Sequence, residues 1–92
     1  MAKKRLHIIY SGTVQGVGFR WTAERVAISL GLTGWVKNMP NGTVEAVAEG
    51  EEKDLVSFID KVKKTMNNYI RNVKVFWSES IGEFDGFNIR FF

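Results

Sequence analysis

The stretch "SGTVQGVGFRWTAER", Ser11 to Arg25, places two glycines, Gly16 and Gly18, directly ahead of Arg20. That order suits the binding of an anion. A loop that feeds a helix N-terminus presents backbone N–H groups with no intrahelical partner, and their dipoles favour negative charge. Glycine at 16 and 18 permits backbone conformations and a close ligand approach that a Cβ would obstruct. The N–H groups of Gln15, Gly16, Val17, Gly18, Phe19 and Arg20 can then converge on one phosphoryl group. Arg20 adds a planar guanidinium fork matched to two phosphate oxygens, which a lysine does not imitate. The competing account is a common glycine turn followed by a solvated arginine. A second group, Asn38, offers an amide donor and acceptor together; the plainer account has it shaping the turn in "NMPNG".

These groups need elements to hold them. Leu6 to Tyr10 is an apolar, β-branched run bounded by Ser11-Gly12, as a buried first strand requires. From Phe19 the apolar positions Phe19, Ala23, Val26, Ala27 and Leu30 follow helical spacing, and Gly31 stands where a helix C-terminus favours glycine. Gly34 to Asn38 and the segment from Val44 form a hairpin connected at about Met39 to Gly42. In its second strand Val44, Ala46 and Ala48 alternate with Glu45, Val47 and Glu49. Leu55, Phe58, Ile59 and Val62 define a second helix, with acids in its first turn and lysines in its last. "VKVFWSES" and "GFNIRFF" close the chain as strands, the latter with Phe87, Ile89 and Phe91 on one face. The order strand, helix, hairpin, helix, strand, with a last short strand, predicts an α+β, ferredoxin-like (split βαβ, βαββαβ) sandwich. Its antiparallel sheet carries both helices on one face.

Composition bounds the chemistry. Ninety-two residues make one domain, residues 1–92, expected to act as a monomer. The chain has no cysteine and one histidine, so thiolate zinc sites, disulfides, a cysteine nucleophile and a histidine pair are excluded, and neither a metal nor a cofactor is expected. No apolar run approaches the ~20 residues that span a bilayer, and the short run after "MAKKR" is below the length of a signal-peptide core. A cytoplasmic location without membrane contact is the expectation. A net charge of +3 favours anionic partners without choosing one. The spacing of Gly12, Gly16 and Gly18 is neither the dinucleotide fingerprint nor a P-loop.

Two segments together resemble the acylphosphatase family. Its motif "G-x-V-Q-G-V-x-F-R" stands here as "GTVQGVGFR", Gly12 to Arg20, and its partner "G-x-V-x-N" as "GWVKN", Gly34 to Asn38, followed by "NGTVE". The resemblance is specific in the first half of the chain. From Glu51 on it rests on helix and strand pattern, with "MNNYIRN" replacing a proline-containing segment. It implies that Arg20 binds a phosphate and Asn38 orients an attacking water, so that the carboxyl–phosphate bond of an acyl phosphate is hydrolysed without a metal or a covalent intermediate. Inorganic phosphate or sulfate would then compete at the loop. This fits a chain without catalytic histidine. A carboxylate with a pKa near ~4 leaves unprotonated, and a loose phosphoryl-transfer transition state asks for a positioned water rather than a strong base.

The remaining residues are read more plainly. His7, with no second ligand nearby, has a structural or surface role. Trp35, Phe76, Trp77, Phe91 and Phe92 are expected to pack in the core or on the sheet, and Lys61, Lys63 and Lys64 to end a solvated helix. Two alternatives share the fold. An RNA-recognition module would need aromatics on its third strand, and "TVEAVAE" has none, so no nucleic-acid partner is expected. A phosphate-sensing module would keep the cradle without turnover.

Overall fold

The computed structural model describes residues 3–91. The elements run β1 (Lys3–Gly12), α1 (Phe19–Ser29), β2 (Thr33–Asn38), β3 (Val44–Glu51), α2 (Glu52–Thr65), β4 (Ile70–Glu79) and β5 (Phe87–Arg90). They build a five-stranded sheet in the order β4-β1-β3-β2-β5. The first four strands pair antiparallel, as the strand and helix order predicts, and both helices pack on one face. The short last strand adds a feature that strand periodicity does not encode: β5 lies parallel to β2, with Gly34 opposite Phe87 and Val36 opposite Ile89.

Alternation explains the core. Leu6, Ile8 and Tyr10 of β1, Val44, Ala46 and Ala48 of β3 and Val36 of β2 point toward the helices and are buried. Phe19, Ala23 and Ala27 of α1, and Leu55, Phe58 and Val62 of α2, meet them from above. The Tyr10 and Phe19 rings pack with centroids 4.6 Å apart, which fixes the first turn of α1 to the sheet. The hairpin is tight at Gly34, φ 141°, where an added Cβ would run into the Val47 carbonyl. The first glycine of "GWVKN" thus serves strand contact rather than chemistry.

Two expectations change. Phe76 and Trp77, expected to pack, are 52% and 44% exposed. β4 is the outermost strand: Trp77, opposite Leu6, stands at the margin of the helix-covered face, while Phe76 lies on the other face of the sheet with its ring centroid 5.7 Å from that of His7. Phe92, read with the closing strand, lies outside the described residues, while Phe91 is exposed. The second change concerns Glu49, placed by alternation on the open face of the sheet. It is only 3% exposed, because residues 80–86 run past it on the way from β4 to β5. Its carboxylate accepts hydrogen bonds from the Ser80 hydroxyl and the Ile81 and Gly82 N–H groups, all at 2.9 Å, and from Arg5 Nη1 at 2.9 Å. Arg5 also reaches Glu83 at 2.8 Å and lies over the Phe84 ring. This knot steers the crossover that delivers β5 to β2.

Burial alone would push the Glu49 carboxyl up, but the Ile81 and Gly82 N–H groups, the Ser80 hydroxyl and Arg5 outweigh it and hold it at about 2. Four donors to the charged form make that direction secure. The folded pKa lies below the ordinary 4.5, so the stabilisation is complete above that value and is lost as pH falls from there toward 2. Glu49→Gln is expected to lower stability at pH 7 by on the order of 2 kcal/mol. Urea unfolding midpoints of the two proteins should converge as pH is lowered through that window.

Candidate active site

The loop between β1 and α1 is held by its apolar side chains and opened by its glycines. Val14 and Phe19 are buried and Val17 packs partly against the core. Gly16 and Gly18 stand between them, exposed, at φ 78° and 79°. Nothing lies within 4 Å of the position a Cβ would take at either glycine. Their need is therefore conformational, since left-handed backbone is strained for other residues, and the space beside them is left free.

Gly18 is the N-cap of α1, and no side chain caps the helix. Nor does its first turn contain an acid. The contrast with α2 is instructive: there Glu52 and Asp54 occupy the first turn and answer the positive end of the helix from within the chain. At α1 the exposed N–H groups and the dipole have no such answer, and the nearest charged side chain is a cation, Arg20. The Arg20 guanidinium carbon lies 5.2 Å from the centroid of the Phe91 ring, an orienting contact that leaves its N–H groups free to donate.

Asn38 ends β2 at the same place. It shares a cavity of about 160 Å³ with Gly16, Gly18 and Arg20, closed by apolar surface from Val14, Trp21, Ile89 and Phe91. Its Oδ1 is buried and has no hydrogen-bond partner among the described residues. The turn that Asn38 was a candidate to shape is made by other groups. Asn41 Oδ1 accepts from the Thr43 N–H at 3.1 Å and from its hydroxyl at 2.7 Å, and Met39 N–H donates to the Thr43 carbonyl at 2.8 Å. A buried, unpaired amide oxygen carries a desolvation cost of ~1–3 kcal/mol, so its place in a cavity with an arginine and bare N–H groups calls for a polar occupant.

Gln15 does something its position in the loop did not announce. Its Nε2 donates to the carbonyls of Met39 at 2.9 Å and Thr43 at 3.0 Å. One side chain thus ties the glycine loop to the β2–β3 turn and fixes the distance between the two halves of the site. Gln15 and Val17 do not line the cavity; what the structure shows of them is the tether and the packing that hold the loop.

The sequence profile of the acylphosphatase family matches residues 6–89. The chain belongs to the acylphosphatase family. The acylphosphatase of Pelotomaculum thermopropionicum is 38% identical over 96 residues, covering 99% of this chain and all of the relative. That of Methanospirillum hungatei is 46% identical over 81 residues, covering 86% and 89%. The crystal structure of acylphosphatase from Bacillus subtilis superposes with a TM-score of 0.87 at 38% identity, covering 96% of this chain and 99% of that one. An acylphosphatase fold, then, presents the open glycine loop, Arg20 and Asn38 around a single small cavity. No helix among the described residues is long and apolar enough to cross a membrane.

The RNA-recognition alternative finds no support in this arrangement. The face of β3 turned away from the helices carries Glu45, Val47 and Glu49 and no aromatic, and Val47 and Glu49 are buried there, so it offers no base-stacking platform.

Proposed function

We propose that this enzyme hydrolyses acyl phosphates by attack of a water on phosphorus, with Arg20 and the loop N–H groups holding the phosphoryl group and Asn38 holding the water. The observation that carries this is the buried, unpartnered Asn38 Oδ1 in the cavity that Arg20 and the uncapped start of α1 share. With the phosphoryl oxygens against the N–H groups of residues 15–20 and the Arg20 fork, a water donating to Asn38 Oδ1 has a lone pair free for phosphorus. Charge that builds on the equatorial oxygens meets donors already in place, each worth ~2.7–4 kcal/mol in comparable oxyanion sites. As the P–O bond to the carboxylate breaks, the leaving group departs as a weak base and needs no acid. Among the described residues lining the cavity there is no carboxylate or imidazole, so the water's proton passes to a phosphoryl oxygen. The products are a carboxylate and inorganic phosphate.

Benzoyl phosphate supplied without metal should be consumed, at the same rate with and without a chelator, and inorganic phosphate should inhibit competitively. A folded protein that binds phosphate but leaves benzoyl phosphate intact would instead be a sensing module, and the hydrolytic reading would fall.

A further inference from the structure

We propose that Trp21 and Phe91 form an acyl-binding collar that selects substrates with planar, apolar acyl groups over small ones. The inference rests on the reading of the cavity as the phosphoryl site. Both rings line that cavity, yet they are 60% and 73% exposed, well beyond what packing in the core would leave. Neither is loose. Trp21 carries the Arg25 guanidinium at 4.8 Å from its ring centroid, and Phe91 carries that of Arg20 at 5.2 Å. Each aromatic is therefore braced by a cation and still presents large apolar area at the mouth.

The direction of the substrate follows from the polar groups. A phosphoryl group with its oxygens on Gly16, Gly18 and Arg20, and its attacking water on Asn38, must send its acyl oxygen away from that polar end. The surface left for it is apolar: Ile89 joins the two rings there. A planar acyl group laid against this surface removes apolar area from water on the substrate and on the rings, whereas an acetyl group covers little of it. One methylene in an enclosed pocket is worth ~10–200-fold, and on rings this exposed several carbons together are expected to give about tenfold.

Steady-state kcat/KM should be measured for benzoyl phosphate and acetyl phosphate with the wild type, Trp21→Ala, Phe91→Ala and Trp21→Phe. Wild type is expected to favour benzoyl phosphate by about tenfold. Each alanine variant should narrow that ratio about threefold or more, Trp21→Ala chiefly through KM for benzoyl phosphate and Phe91→Ala with an added loss on both substrates because its ring also orients Arg20, and Trp21→Phe should restore most of it. The intrinsic reactivity difference between the two substrates is common to all four proteins and cancels when their ratios are compared. Both rings are exposed, so folding is expected to survive truncation, and circular dichroism checks this. A ratio unchanged in both alanine variants overturns the collar. Competition by inorganic phosphate in the wild type separates the two readings. If phosphate competes and the ratios stay flat, only the collar fails; if phosphate does not compete, the phosphoryl site itself is misplaced.

Discussion

Replacing Arg20 by alanine is expected to reduce kcat/KM for benzoyl phosphate by about 10³-fold or more. The expectation comes from geometry and charge together. Arg20 stands in the first turn of a helix with no acidic residue and no capping side chain there, beside two glycines whose surroundings are open. A guanidinium at that point supplies two parallel donors to phosphoryl oxygens, and its contribution grows as charge builds on them in the transition state. Both kcat and KM should therefore suffer. Arg20→Lys should recover only part of the loss, because an ammonium is a point charge without the planar fork. Arg20 is only partly buried and makes no salt bridge among the described residues, so the variant should unfold near the wild-type urea midpoint. A variant that keeps its activity would remove Arg20 from the site.

Asn38→Ala should give a different signature: kcat lower by about 10²–10³-fold with KM for the acyl phosphate nearly unmoved. In the proposed arrangement the amide oxygen holds the water rather than the phosphoryl group, so its removal is expected to spare ground-state binding and lose orientation. Removing it also relieves a buried oxygen of its unpaired state, so stability should hold or rise slightly. Asn38→Asp makes a sharper comparison. It keeps an acceptor of similar shape but brings negative charge beside the phosphoryl dianion, and it should raise KM where the alanine variant does not. A fall in KM-dependent binding alone, with kcat intact, would assign Asn38 to phosphate rather than water.

The sheet and both helices were legible because each carries its own period. The apolar stripe of α1 from Phe19 to Leu30 and the alternation of β3 from Val44 to Ala48 reappear as buried faces. Gly31, read as the end of α1, is left-handed there. Arg20 and Asn38 were legible through their motifs, although only the structure decides that Asn41, and not Asn38, builds the turn. What stayed hidden depends on events far along the chain. Glu49 alternates like a solvent-facing residue and is buried by residues 80–86 that follow β4. Trp77 shares the face of the core residue Leu6, which it opposes, but stands on the outermost strand and is left 44% exposed. Direction of pairing leaves no mark on a strand's own pattern, so the parallel seating of β5 could not be read from "GFNIRFF". Gln15 was read for its backbone, and its side-chain tie to Met39 and Thr43 required the turn to be in place.

β5 is four residues long and pairs with a single neighbour, β2. An element with so few ladder bonds opens more readily than the strands inside the sheet. Its lifting would take Ile89 and Phe91 out of the cavity and the Phe91 ring away from Arg20, while Arg20, Asn38 and the glycine loop belong to α1, β2 and the β1–α1 connection. The reactive groups and the wall around them thus have different lifetimes. Turnover of benzoyl phosphate, which the proposed wall would seat, is therefore expected to weaken in rising denaturant before most of the backbone unfolds.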